Sequence, residues 1–382
     1  MWPIRAAKSM NLICFKIDHS VYDVLMLAQR LSPVHITAPH LPIARVFHQI
    51  RATDADRTSL QRDLNLSQAG VTRHVAALID AGLVEETRVD AGVKSGRPRT
   101  KLGIDARHLT AWGAHIGLRS MDLTVCDLAG RVIRYERVNH EVAQSTAAET
   151  LNFVARRLET LSLGLPAPRN VGVALSAHLS ADGTVTSEDY GWSNVDIGAH
   201  LPFPATIGSG VAAMAGSEII NASLTQATQS TLYFYAREMV SHAWIFNGAV
   251  HRPNSGRTPT AFGNTNTLKD AFRRGLSPSS FSDLVQLSHT NSIAREILNE
   301  RAHNLADAVT TAVDVVDPEA VVFAGEAFTL DPETLRIVVT QLRSNTGSQL
   351  RIQRADAHIL RTAAIQVALH PIRQDPLAFV DS

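Results

Sequence analysis

Apolar positions recur at helical spacing through the N-terminal quarter of the chain. Val21, Val24, Leu25, Ala28 and Leu31 follow a Ser20 and Asp23 capping arrangement and stop before Pro33, which predicts a first helix. That stripe suits packing against the domain that follows, with a dimer contact as the alternative. A second helix is predicted from Pro42, a residue favoured at a first helical position, with Ile43, Val46, Phe47 and Ile50 on one face. After a break at 53–56 the pattern predicts a helix over 58–64 and a turn at Asn65 and Leu66. It then predicts a helix over 68–81, capped by Ser67 and closed by Gly82, and an extended segment over 83–88. In the second of these helices Val71, Val75, Leu78 and Ile79 point inward. Gln68, Ala69, Thr72, Arg73 and Ala76 are left on the opposite face. The Gly-rich stretch over 90–102 lies between two strand candidates and has the composition of a β-hairpin wing.

Beyond residue 108 the pattern changes to alternating strands and helices. Strands are predicted over 112–118, 123–128, 132–138, 171–176 and 231–236, and helices over 147–163 and 292–316. Pro318 ends the second helix, and a buried strand at Val321 runs into Gly325. This order predicts an α/β domain with helices on both faces of a sheet. The division expected is an N-terminal helical segment over 1–38, a winged helix-turn-helix over 39–107, and two lobes over 108–225 and 226–382, with a C-terminal helix returning to the first lobe. No repeat of solenoid length and no low-complexity tract occurs.

Composition narrows the function classes. The 382 residues exceed what one core usually organises. With 45% hydrophobic and 19% charged residues the chain is not disordered, and 36 Lys and Arg against 36 Asp and Glu give no whole-chain attraction to a polyanion. Any nucleic-acid signal must be local. It lies in the wing, where Arg88, Lys94, Arg97, Arg99, Lys101 and Arg107 face only Asp90 and Asp105, six bases against two acids. Two cysteines, Cys14 and Cys126, are too few for a disulfide framework or a thiolate zinc site and suit a reducing cytoplasm. No stretch reaches the roughly 20 apolar residues of a membrane span.

The helix-turn-helix supplies the chemistry. A major groove admits one helix, and short polar side chains on it read base edges. Gln68 can pair with adenine and Arg73 with guanine, while Thr72 can meet a phosphate or a thymine methyl. With Ser67 at the cap, these are the candidate DNA-reading residues. Lys94, Arg97, Arg99 and Lys101 are the candidate phosphate contacts, and Arg97, between Gly96 and Pro98, suits a narrow minor groove.

The segment Leu64-Asn-Leu-Ser-Gln-Ala-Gly-Val-Thr-Arg-His-Val-Ala-Ala-Leu-Ile-Asp-Ala-Gly-Leu-Val84, the wing Ser95-Gly-Arg-Pro98, and the motifs Trp112-Gly-Ala-His-Ile-Gly117 and Val125-Cys-Asp-Leu-Ala-Gly130 together resemble ROK-family regulators (repressor, open reading frame, kinase). Gly191-Trp192, Asn247-Gly248 and Asp317-Pro-Glu-Ala-Val-Val-Phe-Ala-Gly325 agree more weakly. The resemblance implies a MarR-like winged helix fused to a two-lobed, actin-like or ribonuclease-H-like ATPase fold. It also implies a homodimer or homotetramer and a sugar or sugar-phosphate effector, for which Trp192, Asn194 and Asn247 are the candidate contacts.

The departures from the family pattern bear on activity. Where ROK kinases carry an acid at the first glycine-rich turn, His115 stands here. Where an Asn-Asp pair supplies the catalytic base, Gly208 and Ser209 stand. Phosphoryl transfer depends on charge neutralisation and a positioned base, and a serine is no carboxylate base at neutral pH. The family's zinc cysteines and Glu-x-Gly-His sugar contacts have no counterpart near 254–263, and His242 and His251 alone do not make a metal site. The expectation is a non-enzymatic, cytoplasmic regulator of a double-stranded DNA operator, a repressor in the leading reading, with no cofactor and no metal. An active sugar kinase with an accessory DNA-binding domain is the alternative.

Overall fold

The computed structural model describes residues 33–89, 99–105, 109–224, 230–251, 266–346, 350–355 and 358–380. The predicted helix following Ser20 and the wing tip with Lys94 and Arg97 lie outside the described residues.

Three short helices come first: α1 (Pro42–Ala52), α2 (Arg57–Leu64) and α3 (Gln68–Asp80). Each boundary has a local cause. Pro42 sits in the first turn of α1. Asp56 caps α2 in a reciprocal box with Ser59, and Asn65 ends it in the left-handed region at φ 54°. The Ser67 hydroxyl accepts from the Gly70 N–H at 3.1 Å to open α3. At the other end Gly82, at φ 68°, lets its N–H reach Ile79 O at 2.8 Å and the Leu83 N–H reach Leu78 O at 2.9 Å. This is the paired bonding of a Schellman stop. Strands β1 (Val84–Val89) and β2 (Arg99–Ile104) then pair antiparallel, Val84 opposite Ile104.

The first lobe holds β3 (Thr110–Ile116), β4 (Ser120–Asp127) and β5 (Val132–Asn139) as an antiparallel meander. On the other side of β3, β6 (Pro168–Leu175) and β10 (Thr206–Ser209) add in parallel, giving the order β10-β6-β3-β4-β5. Between β6 and β10 in sequence lies a small antiparallel sheet of β7 (His178–Leu179), β8 (Thr184–Ser187) and β9 (Trp192–Asp196). Alternation along β3 sends Trp112, Ala114 and Ile116 towards helix α4 (Ala147–Leu161), with Leu151, Val154 and Leu158 in the same core. Ala111, Gly113 and His115 take the opposite face.

The second lobe repeats that connectivity. Strands β11 (Thr231–Ala236), β12 (Val240–Phe246) and β13 (Ala249–Val250) form a meander, and β14 (Ala320–Ala324) and β15 (Arg351–Arg354) add in parallel, order β13-β12-β11-β14-β15. Helices α6 (Thr267–Arg273), α7 (Phe281–Leu287), α8 (Ser292–Val316), α9 (Glu326–Thr329) and α10 (Pro332–Thr346) cover the face carrying Leu232, Phe234, Val321 and Phe323. On the other face Tyr233, Ala243 and Val322 meet α5 (Gly210–Asn221) and α11 (Ile359–Gln374), which lie between the two sheets. Two equal topologies face to face, with no repeat in the sequence, make up the two-lobed body.

Helix α11 comes unusually close to the first sheet. Gly113 and Gly172 are register partners on β3 and β6. A Cβ on Gly172 would stand 2.2 Å from Ala368 N, and one on Gly113 2.8 Å from Ala364 O. Only glycine at both positions lets the helix rest on the strands' backbone. The helix also completes the core of the N-terminal domain: Ile365, Ala368, Leu369 and Ile372 pack with Phe47, Ile50, Leu60 and Val75. A strap preceding α1 ties both lobes together. Val34 donates to Ile207 O at 2.8 Å in the first lobe, while Ala38 donates to Gly248 O at 2.6 Å and Ile36 O accepts from Val250 at 2.9 Å in the second. Among the described residues no helix is long and apolar enough to cross a membrane.

Candidate nucleic-acid interface

Helix α3 separates its residues cleanly by face. Val71, Val75 and Leu78 are buried beside Leu60 and Leu64 of α2, whereas Ser67, Gln68, Ala69, Thr72, Arg73 and Ala76 are exposed. The predicted reading residues therefore share one solvent face, and Arg73 has no hydrogen-bond or ion-pair partner among the described residues. His74, between the faces, is held below the usual imidazole range by partial burial and then by the neighbouring Arg73 charge. A helix so placed can offer an amide, a hydroxyl and a guanidinium to a groove with no rearrangement of its own core.

The wing base is tied back to the helices. Leu102 donates to Ala55 O at 3.0 Å, and the Lys101 ammonium pairs with Asp54. Lys101, predicted as a phosphate contact, is thus engaged within the domain, in an exposed pair that costs little to break. Arg57 pairs with Glu86 at 2.6 Å and braces α2 against β1. Arg99 opens β2 opposite Val89. Lys94 and Arg97 lie outside the described residues.

Behind this face, the two positions where the sequence departs from ROK kinases meet in space. His115 is 1% exposed, and its Nε2 lies 3.1 Å from Ser176 Oγ. A Cβ on Gly210, beside Ser209 at the start of α5, would stand 3.1 Å from that same Nε2. Burial holds the His115 imidazole down to about 4, so it is neutral at pH 7 despite Asp122 opposite it on β4. Asp122 is itself buried and accepts from the Tyr135 hydroxyl at 2.5 Å. The site thus gathers a neutral imidazole, the Ser176 hydroxyl and a sequestered carboxylate. Glu326 bridges the lobes, 3.6 Å from Arg137 of the first and 3.2 Å from Arg237 of the second, and Lys269 pairs with Asp189 at 3.5 Å.

The three candidate effector contacts have local structural tasks. Trp192 is 4% exposed in the core of the first lobe, edge-on to Tyr190 at 5.0 Å. Asn194, at φ 51°, is exposed, and its N–H donates to Thr186 Oγ1 at 3.0 Å across the β8–β9 irregularity. Asn247, at φ 49°, begins the two-residue turn with Gly248 that joins β12 to β13. Among the described residues no contact brings the three together. Cys126 is buried on β4 with its thiol pushed up to about 12 by desolvation, and among the described residues no group of three or more His, Cys, Asp or Glu could hold a metal. The region over 254–263 lies outside the described residues.

The helix-turn-helix and β-hairpin packed on two lobes of equal topology are similar in fold to solved ROK-family proteins. The chain is 29% identical to proteins of Mycobacterium tuberculosis and Mycobacterium bovis named as transcriptional regulators, over 87% of this chain and 86% of theirs. Its fold matches the crystal structure of a ROK family transcriptional regulator described as a homologue of the Escherichia coli Mlc protein. That match has a TM-score of 0.65 at 16% identity and covers 89% of this chain and 98% of the other. The two lobes alone match a ROK family glucokinase from Streptomyces griseus, TM-score 0.54 at 12% identity, over 68% of this chain and 98% of the enzyme. No family model matches the sequence.

Sequence reasoning missed the contacts that bind the N-terminal domain to the body. Arg51 donates to Ile220 O and His48 Nε2 lies 3.0 Å from Ala222 O, both at the C-terminal end of α5. Their partners lie more than 160 residues away, and no local pattern announces them.

Proposed function

We propose that this chain is a DNA-binding transcriptional regulator of the ROK type, in which α3 enters the major groove and the two-lobed body senses and assembles without catalysing phosphoryl transfer. The observation that carries the reading is the exposed face of α3, where Gln68, Thr72 and Arg73 project from a helix whose other side is locked in a core. Arg99, with Lys94 and Arg97, neutralises phosphates beside it, which gives binding a steep salt dependence. Two copies about a two-fold axis read half-sites one turn apart, and repression follows from occupying the operator. The body takes a sugar or sugar phosphate, and the protein works in the cytoplasm.

Selection of bound genomic fragments followed by gel-shift titration tests the reading. Arg73→Ala is expected to weaken binding about 10- to 100-fold and to relax preference at one base position. Undiminished affinity in both Arg73→Ala and Arg97→Ala would refute it. Against the kinase reading stand the neutral His115 and the Ser209–Gly210 start of α5, which put no carboxylate at either of those two positions. A coupled ADP-release assay with hexoses and N-acetyl amino sugars is expected to show no sugar-dependent turnover.

A further inference from the structure

Helices α1 and α11 pack against each other and carry the same four-residue pattern, His48-Gln-Ile-Arg51 and His370-Pro-Ile-Arg373. Residues three apart share a helix face, so each helix brings an imidazole and a guanidinium to the junction between the N-terminal domain and the first lobe. Some of their donors are satisfied: Arg51 by Ile220 O, His48 by Ala222 O, Arg373 by the Gln366 side-chain oxygen. The Nε of both arginines and the Nδ1 of both histidines are buried with no partner among the described residues.

The charge is uncompensated. Arg373 is 2% exposed, and the half-buried Arg51 adds its positive charge nearby. Burial pushes Arg373 down to about 9 and Arg51 to about 10, so both are charged at neutral pH. Among the described residues no carboxylate bears on either. The one acidic group that does, the Cys126 thiol, is kept protonated by its own burial. Both imidazoles are neutral, held down to about 4 chiefly by desolvation. Two like charges without a counter-ion are costly in an interior, whereas paired guanidiniums present planar forks that match an oxyanion. Gly130, at φ 88°, brings its turn so close that a Cβ there would stand 3.2 Å from Arg373 Nη2. Arg51 is half-buried.

We propose that the α1–α11 junction is a binding site for a small oxyanion, a phosphate either free or as the phosphoryl group of an ester, held between Arg51 and Arg373. Occupancy neutralises the repulsion between the two helices and clamps the N-terminal domain to the body. The consequence for DNA affinity rests on the function proposed above. The binding itself does not.

Thermal unfolding of the full chain in chloride, inorganic phosphate or glucose 6-phosphate at equal ionic strength tests the site. Inorganic phosphate is expected to raise Tm by about 2–4 °C once it exceeds its dissociation constant about tenfold. A larger shift with glucose 6-phosphate would support the ester as the source. Arg373→Met removes an uncompensated charge, so it is expected to raise Tm in chloride and to abolish the phosphate shift. Arg51→Gln, at the half-exposed member, is expected to abolish the shift even if Arg373→Met does not fold. No shift of the wild type over chloride, or a shift retained in Arg51→Gln, overturns the proposal. These readings need no operator, so failure of the DNA-binding reading and failure of the site are separable.

Discussion

A buried neutral imidazole stabilises a fold only above the pH at which the unfolded chain would protonate it. His48, His115, His242 and His370 are each held down to about 4 by desolvation, against about 6.5 when exposed. Between those values the unfolded chain binds more protons than the folded one. The stability these residues permit is therefore complete above about pH 6.5 and falls as pH drops towards 4, by up to about 1.4 kcal/mol per pH unit for each group. Tm is expected to decline between pH 7 and pH 5. His115→Gln, which keeps a polar group near Ser176, should flatten that decline by one proton's worth, and an unchanged slope would show that His115 is not buried neutral. At the surface, Ser67→Ala removes the side-chain cap of α3 and is expected to cost about 1 kcal/mol in denaturant titration.

Among the elements, the glycine pair beneath α11 makes the sharpest prediction. Gly172→Ala would drive a methyl into Ala368 N, and since backbone cannot yield as a side-chain tip can, a loss of about 1–3 kcal/mol is expected in urea unfolding. Because α11 also carries Ile365 and Leu369 into the N-terminal core, the same change should speed proteolysis near residue 105, and equal cleavage in both proteins would refute that link. These two regions also mark how far the sequence could be read. Helices α1 to α3 were legible within a residue or two because Pro42, Asp56, Ser67 and Gly82 are local signals beside one-sided apolar stripes. Helix α11 was expected only as a C-terminal return, with no range. Ile359, Ala363, Ala364, Val367, Ala368 and Leu369 are all buried, on more than one side of the helix, so no polar face sets a period. The exposed face of α3 was legible for the same local reason, whereas the nearness of Arg51 to Arg373 spans some 320 residues of chain that carry no trace of it.

For the molecule as a whole, the lobes are held by Glu326 between Arg137 and Arg237 and by the strap at 34–38, which bonds to both before it enters α1. Any change in the angle between the lobes must therefore strain the segment leading to the DNA-binding helices. The N-terminal domain in turn finishes its core with side chains from the far end of the chain: Phe47 and Ile50 share one cluster with Ala111, Leu128, Ile365 and Leu369. A fragment of residues 39–107 alone would expose that surface and is expected to lack a cooperative thermal transition by circular dichroism, where a sharp transition would show the domain to be self-sufficient. The consequence reaches to how such proteins can be recombined. An N-terminal domain that borrows its interior from the two-lobed body cannot be traded as a cassette, so a working chimera must exchange the first and last segments of the chain together.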